Sequence, residues 1–194
     1  MTAKRVVVIA GPSGSGKNAV IEEIMKSRPN CARLVTATTR AMRPGEQEGV
    51  DYYYLSKEQF EAALKEGQIP EHRFVPELGT YYGTYLPDLE KKLTKPGLII
   101  FAQVDIEGAR LLKELYGATT FFIMPENLDQ FRGRLLARDP EWSSKELSAR
   151  MKITEEEIRV HAPQYDYHVV NADGRLKEAA DEIVAILRKE GYTI

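Results

Sequence analysis

Residues 6–18 read VVVIAGPSGSGKN, and this stretch decides the fold. The β-branched run from Arg5 to Ala10 reads as a buried strand. Gly11 to Lys17 have the spacing of a phosphate loop. Asn18 to Ser27, with apolar residues at Ala19, Val20, Ile24 and Met25, read as the helix behind that loop. In a strand–loop–helix of this kind the glycines let backbone N–H groups turn around phosphate oxygens, and the helix N-terminus adds a favourable dipole. Gly11, Pro12, Ser13, Gly14, Ser15, Gly16, Lys17, Asn18 and Ala19 are therefore expected to bind the phosphates of a nucleotide, with Lys17 as the point charge. One residue is unusual: a Ser or Thr after the lysine normally offers its hydroxyl to the nucleotide's magnesium, and here the position is Asn18.

Working outward, Leu98–Val104 and Thr119–Met124 are two more strand-length apolar runs, separated by a helix pattern that Gly117 closes. His168–Asn171 gives a further short strand, and Leu176–Arg188 an amphipathic helix. The alternation predicts an α/β fold of the P-loop type: a parallel sheet with helices on both faces. Two stretches break it, Thr36–Thr84, rich in Tyr, Arg, Gly and Pro, and Ala137–Ser148, which is polar. Open α/β sheets handle ligands at the carboxyl ends of their strands, where such insertions sit. The expected organisation is one domain with a core of residues 1–35, 85–136 and 149–194, an acceptor-binding insertion at 36–84 and a lid at 137–148.

Composition excludes several classes. Of 194 residues, 27 are basic and 29 acidic, and a net charge of −2 argues against a general nucleic-acid or membrane-surface binder. Cys31 is the only cysteine, which rules out an intrachain disulfide or a Cys-based zinc site and fits a reducing cytoplasm. The first apolar run is too short for a signal-peptide core or a spanning helix, so a cytoplasmic, unprocessed protein is expected, with monomer and homodimer both open. His72, His161 and His168 are too dispersed for a metal-ligand pattern, and Trp142 reads as a packing residue of the lid.

From Val35 the chain reads VTATTRAMRPGEQEGVDYYYLSKEQFEAAL, then GQIPEHRF and GTYYGTYLPDLE, followed by VDIEGARLLK, LDQFRGRLLARD and YDYHVVNAD. With GPSGSGK in front, this order of motifs resembles the guanylate kinase family over nearly the whole chain. The resemblance implies phosphoryl transfer from ATP to GMP with Mg2+, ATP and GMP being the small-molecule partners. It implies that Arg40, Arg43, Tyr52 and Tyr82 hold the GMP phosphate, and that Thr36, Glu71, Thr84 and Asp105 surround guanine. It further implies that Arg134, Arg138 and Arg150 of the lid region act with Lys17 and Arg40 on the transferring group. Tyr53 and Tyr54 read as packing residues.

The chemistry is independently sensible. Arginine presents a planar fork of donors to a phosphate, and tyrosine adds a neutral donor. A buried carboxylate matches the adjacent N1–H and N2–H of guanine, whereas adenine would face it with a lone pair; such pairing discriminates by roughly four to five powers of ten. A phosphate acceptor, with its second pKa near about 6, needs no side-chain base, so positioning and electrostatic clamping suffice.

Two departures stand out. The family usually carries Ser or Thr in the pair after the loop lysine, where this chain has Asn18-Ala19, and an acid two residues before the aspartate of the later motif, where this chain has Gln103. Asn18 and Gln103 are thus candidate metal neighbours that bring neutral amides, and a weaker magnesium affinity is expected. Two other readings stay open: a guanylate-kinase-like binding module that has lost transfer, and a kinase of the same fold acting on another small phosphorylated acceptor.

Overall fold

The computed structural model describes residues 4–76, 78–138 and 141–194; for Arg138 this covers the backbone alone. Among these, five parallel strands form the main sheet in the order β2 (Cys31–Arg33), β7 (Ile99–Ala102), β1 (Val6–Ala10), β8 (Thr119–Met124) and β9 (Tyr167–Val170). All five residues of β1 are buried. Val7 and Ile9 enter one apolar cluster together with α1 (Lys17–Lys26) and α7 (Leu176–Lys189), and Val6, Val8 and Ala10 enter the other with α3 (Leu86–Leu93) and α4 (Ile106–Tyr116). That is why the strand reads as a continuous apolar run: alternate side chains meet a helix layer on each face. The expected parallel sheet flanked by helices is present.

After β1 the chain goes to one side of it for β2 and β7, then to the other for β8 and β9. The crevice at the carboxyl end of β1 lies at that reversal, where α/β sheets bind ligands. Gly117 closes α4 in the left-handed conformation, φ 62°, as its position predicts.

Residues 36–84 build a second, mixed sheet in the order β4 (Tyr53–Tyr54), β3 (Ala37–Thr38), β6 (Thr80–Gly83) and β5 (His72–Val75). It packs on α2 (Lys57–Lys65) around Ala37, Phe60, Ala63 and Ile69. Ser56 caps α2 reciprocally with Gln59. Buried Asp88 of α3 ties this sheet to the core, accepting from the Val35 N–H at 2.9 Å and the Tyr53 hydroxyl at 3.1 Å.

The polar stretch around 137–148 holds a helix boundary: α5 (Leu128–Arg138) and α6 (Ser144–Glu156), the latter capped by Ser143 with Glu146. Phe131, Leu135 and Leu147 form a small separate core between them, and Trp142 and Met151 pack on it. Of the stretch expected as a lid, residues 139 and 140 lie outside the described residues. Beyond α6 the backbone widens into a π turn over Glu157–His161. No described helix is long and apolar enough to cross a membrane.

Candidate active site

A cleft of about 700 Å³ opens between the two sheets, with α6 and the π turn along one rim. Gly11, Ser13 and Lys17 line it at the phosphate-loop end, Gln103 and Asp105 lie beyond β7, and Tyr52, Glu71, Tyr82 and Thr84 come from the second sheet. Val104, Ile106, Phe122 and Tyr165 add apolar wall.

The loop is held from behind. Gly16, at φ 89°, caps α1, and a Cβ there would lie 2.3 Å from Asn171 Nδ2. That amide donates to the Ser15 carbonyl at 2.9 Å, fixing the loop to the end of β9. Arg134 reaches the same place from α5: its guanidinium donates to the Asn171 carbonyl at 2.9 Å and to Asp173 at 2.7 and 3.0 Å. Lys17 Nζ donates to the carbonyls of Gly11 and Pro12 at 2.7 and 2.9 Å. Ser15 Oγ is fully buried with no hydrogen-bond partner among the described residues.

In the second sheet, Glu71 Oε1 accepts from the Thr84 hydroxyl at 2.5 Å and the Thr84 N–H at 3.2 Å. Burial pushes this carboxyl above its ordinary value, and the nearby Asp105 adds to the rise. Asp105 caps α4, its Oδ1 accepting from the N–H groups of Glu107 and Gly108 at 3.1 Å each. A Cβ on Gly108 would lie 2.8 Å from Val104 Cβ and 3.0 Å from Glu71 Oε1, so glycine lets the first turn of α4 pack close to both. Thr36 lines the same part of the cleft.

Arg40 lies beside this group. Its guanidinium is gripped by Glu46 at 2.7 and 3.0 Å and stacks over the rings of Tyr52 and Tyr54, 5.5 and 5.7 Å from their centroids. Glu46 also accepts from the Arg43 N–H at 2.7 Å and the Tyr54 hydroxyl at 2.8 Å, and the Arg40 charge holds its pKa down at about 2. Tyr52 meets Tyr82 edge-on at 5.8 Å. Tyr53 packs against Tyr85, whereas Tyr54 is more than a packing residue because its hydroxyl sits on Glu46.

The structure thus gathers Lys17, Thr36, Tyr52, Glu71, Tyr82, Thr84, Gln103, Asp105 and Arg150 on one cleft, with Arg40 behind Tyr52. Arg150 comes from α6, and its Nε is buried without a partner among the described residues. Arg134 lies against the back of the phosphate loop and not in the cleft wall, Arg43 is exposed, and the Arg138 side chain lies outside the described residues. Nothing in the sequence singles out Asn171, Asp173, Glu46 or Gly108 as site residues, although all four lie within the quoted segments.

A divalent cation would find few protein ligands here. Among the described residues no three His, Cys, Asp or Glu side chains gather into a metal site. Asn18 is exposed, its amide oxygen faces Arg33 at 3.4 Å, and its carbonyl accepts from the same guanidinium at 2.9 Å. Gln103 is the amide that lines the cleft.

Residues 3–190 match the family model described as guanylate kinase. The guanylate kinase of Lactococcus lactis is 35% identical over 190 residues, covering 97% of this chain and 89% of that protein. The guanylate kinase of Chlorobaculum tepidum is 38% identical over 184 residues, 93% and 92% of the two chains. A crystal structure of guanylate kinase from Anaplasma phagocytophilum matches with a TM-score of 0.72 at 30% identity, over 98% of this chain and 88% of the other.

Proposed function

This chain belongs to the guanylate kinase family, and on that premise we propose how its own residues divide the work of converting ATP and GMP to ADP and GDP. The observation that carries the reading is a single cleft that has the phosphate loop at one end and the Glu71–Thr84–Asp105 group at the other.

The loop amides and Lys17 take the ATP phosphates. Glu71 accepts from guanine N1–H and N2–H, with Thr36, Thr84 and Asp105 completing the base site. Arg40, Arg43, Tyr52 and Tyr82 hold the GMP phosphate, which is already largely ionised and needs no general base. Arg150 brings to the cleft a guanidinium whose Nε has no partner among the described residues, suited to an oxygen of the migrating group, where charge stabilisation has most effect. Arg134 braces the loop through Asn171, and Arg138 is assigned to the lid by resemblance. Residues 137–148 close as the lid and exclude water.

Magnesium neutralises nucleotide phosphates when bound. Among this chain's residues Gln103, on the cleft wall, would meet it or its water, while the Asn18 amide faces Arg33. A cytoplasmic setting goes with this reading, since Cys31 is a free, buried thiol.

A coupled assay over GMP, dGMP, AMP, CMP and UMP, paired with calorimetric binding of GMP alone, tests the reading. Turnover with GMP in clear preference to the other bases is expected. GMP binding without turnover would make the fold a binding module instead, and turnover of another monophosphate would overturn the role of Glu71.

A further inference from the structure

Arg73 is a cation in the acceptor half of the cleft with no role so far. It lies on β5 directly opposite Tyr82 of β6. Glu71, Arg73 and Val75 alternate onto the face that lines the cleft, while Phe74 turns the other way to meet Tyr81, ring centroids 4.7 Å apart. Residues opposite each other in an antiparallel pair carry their Cβ atoms about 5 Å apart. An arginine side chain is about as long as a tyrosine side chain, so its guanidinium reaches the level of the Tyr82 hydroxyl. That hydroxyl borders Arg40.

The charge on Arg73 contrasts with that on Arg40. Glu46 offsets Arg40 with two hydrogen bonds, whereas Arg73 is exposed and has no hydrogen bond or ion pair among the described residues. An uncompensated guanidinium on a cleft wall, beside a tyrosine hydroxyl and a second arginine, is arranged for an anion. Glu71 occupies the same strand face two residues earlier. A ligand reading Glu71 with its base therefore extends its phosphate along β5 toward Arg73 and Tyr82.

We propose that Arg73 is a further acceptor-binding residue, a third arginine on the phosphate of the bound nucleoside monophosphate. The proposal rests on the acceptor reading above. It implies that much of the acceptor affinity is electrostatic and falls with salt.

The test uses Arg73→Gln and Arg73→Lys in the full chain. Binding of GMP and of guanosine, which lacks the phosphate, is measured by calorimetry at two salt concentrations, alongside steady-state kinetics and thermal melts. Arg73→Gln is expected to raise the KM for GMP roughly tenfold and to weaken its salt dependence. The KM for ATP and the affinity for guanosine should stay as in the parent chain, and Arg73→Lys should fall between. An unchanged KM for GMP would make Arg73 a solvated surface charge, and equal losses for GMP and guanosine would make its role structural; either overturns the proposal. Failure of the underlying reading looks different: the parent chain itself would show no preference for GMP, with Glu71→Gln making no difference.

Discussion

Glu46 clasps the Arg40 guanidinium from one side, Oε1 to NH2 at 2.7 Å and Oε2 to NH1 at 3.0 Å. A third N–H, again from NH1, goes to the Ala41 carbonyl at 2.7 Å. Of the five N–H groups an arginine carries, two therefore remain for other acceptors, next to the hydroxyl of Tyr82. The carboxylate thus fixes the arginine and leaves part of its donor set uncommitted.

If Glu46 is a positioning residue, Glu46→Gln loses the two-point clasp and lets Arg40 turn. The KM for GMP should rise about tenfold, with the KM for ATP unchanged. A fall in the KM for GMP would show instead that Glu46 competes with the incoming phosphate. Because the Glu46 pKa is held at about 2, its contribution is present above the ordinary carboxylate value of 4.5 and is lost only as pH falls through about 2. Acid sensitivity of GMP binding near neutrality therefore cannot come from this residue.

Glu71 behaves in the opposite sense. Its folded pKa is raised above 4.5, so the folded protein prefers the protonated acid, and the charged form costs stability as pH rises through the folded value. Glu71→Gln removes that cost and keeps an acceptor for Thr84. The melting temperature of the free protein at neutral pH should rise, while GMP affinity falls by about 2 kcal/mol, or about thirtyfold. The affinity of the parent chain should weaken on acidification, starting above pH 4.5, and the variant should lose this dependence. A variant less stable than the parent would contradict the assignment of the raised pKa to burial.

Gly16→Ala places a Cβ against the Asn171 amide, which is already fixed by the Ser15 carbonyl, at a φ of 89° that L residues rarely adopt. A loss of about 1–3 kcal/mol in unfolding free energy is expected, with weaker ATP binding and unchanged GMP binding. Denaturant melts and calorimetry with each nucleotide check this. An equal loss for both ligands would mean that the loop and the acceptor site are not separable.

For magnesium the two amides should respond unequally. Gln103→Glu places a carboxylate in the cleft wall and should tighten Mn2+ binding to the protein–ADP complex, read by electron paramagnetic resonance. Asn18→Ser alone should change it little, because position 18 is exposed and faces Arg33. The reverse order would return the metal contact to position 18.

The core was the legible part of this chain. β1, β8, α4 and α7 announce themselves because a strand buried on both faces must be apolar throughout and an amphipathic helix must repeat its apolar positions. β2 was not foreseen: it is three residues long and pairs with β7 alone in the main sheet. Within 36–84 the strands are two to four residues long, too short for alternation to show, and their tyrosines serve packing and cleft lining alike. At the site, loop spacing brought forward Lys17 and motif order Glu71, but no spacing rule links Glu46 to Arg40, six residues apart in one irregular loop, or Asn171 to Ser15, whose contact forms only when two distant segments are folded together.

The sequence by itself determined a phosphate loop on a buried parallel strand and a set of motifs in guanylate kinase order, since local backbone geometry and hydrophobic periodicity are written residue by residue. Only the tertiary structure decided which arginines face the cleft, that the Asn18 amide turns to Arg33 while Gln103 lines the wall, and that Arg73 stands opposite Tyr82. Side-chain direction depends on strand register and on which charged partner lies within reach. Both are properties of segments distant in sequence, fixed only when the two sheets and the α5–α6 pair pack.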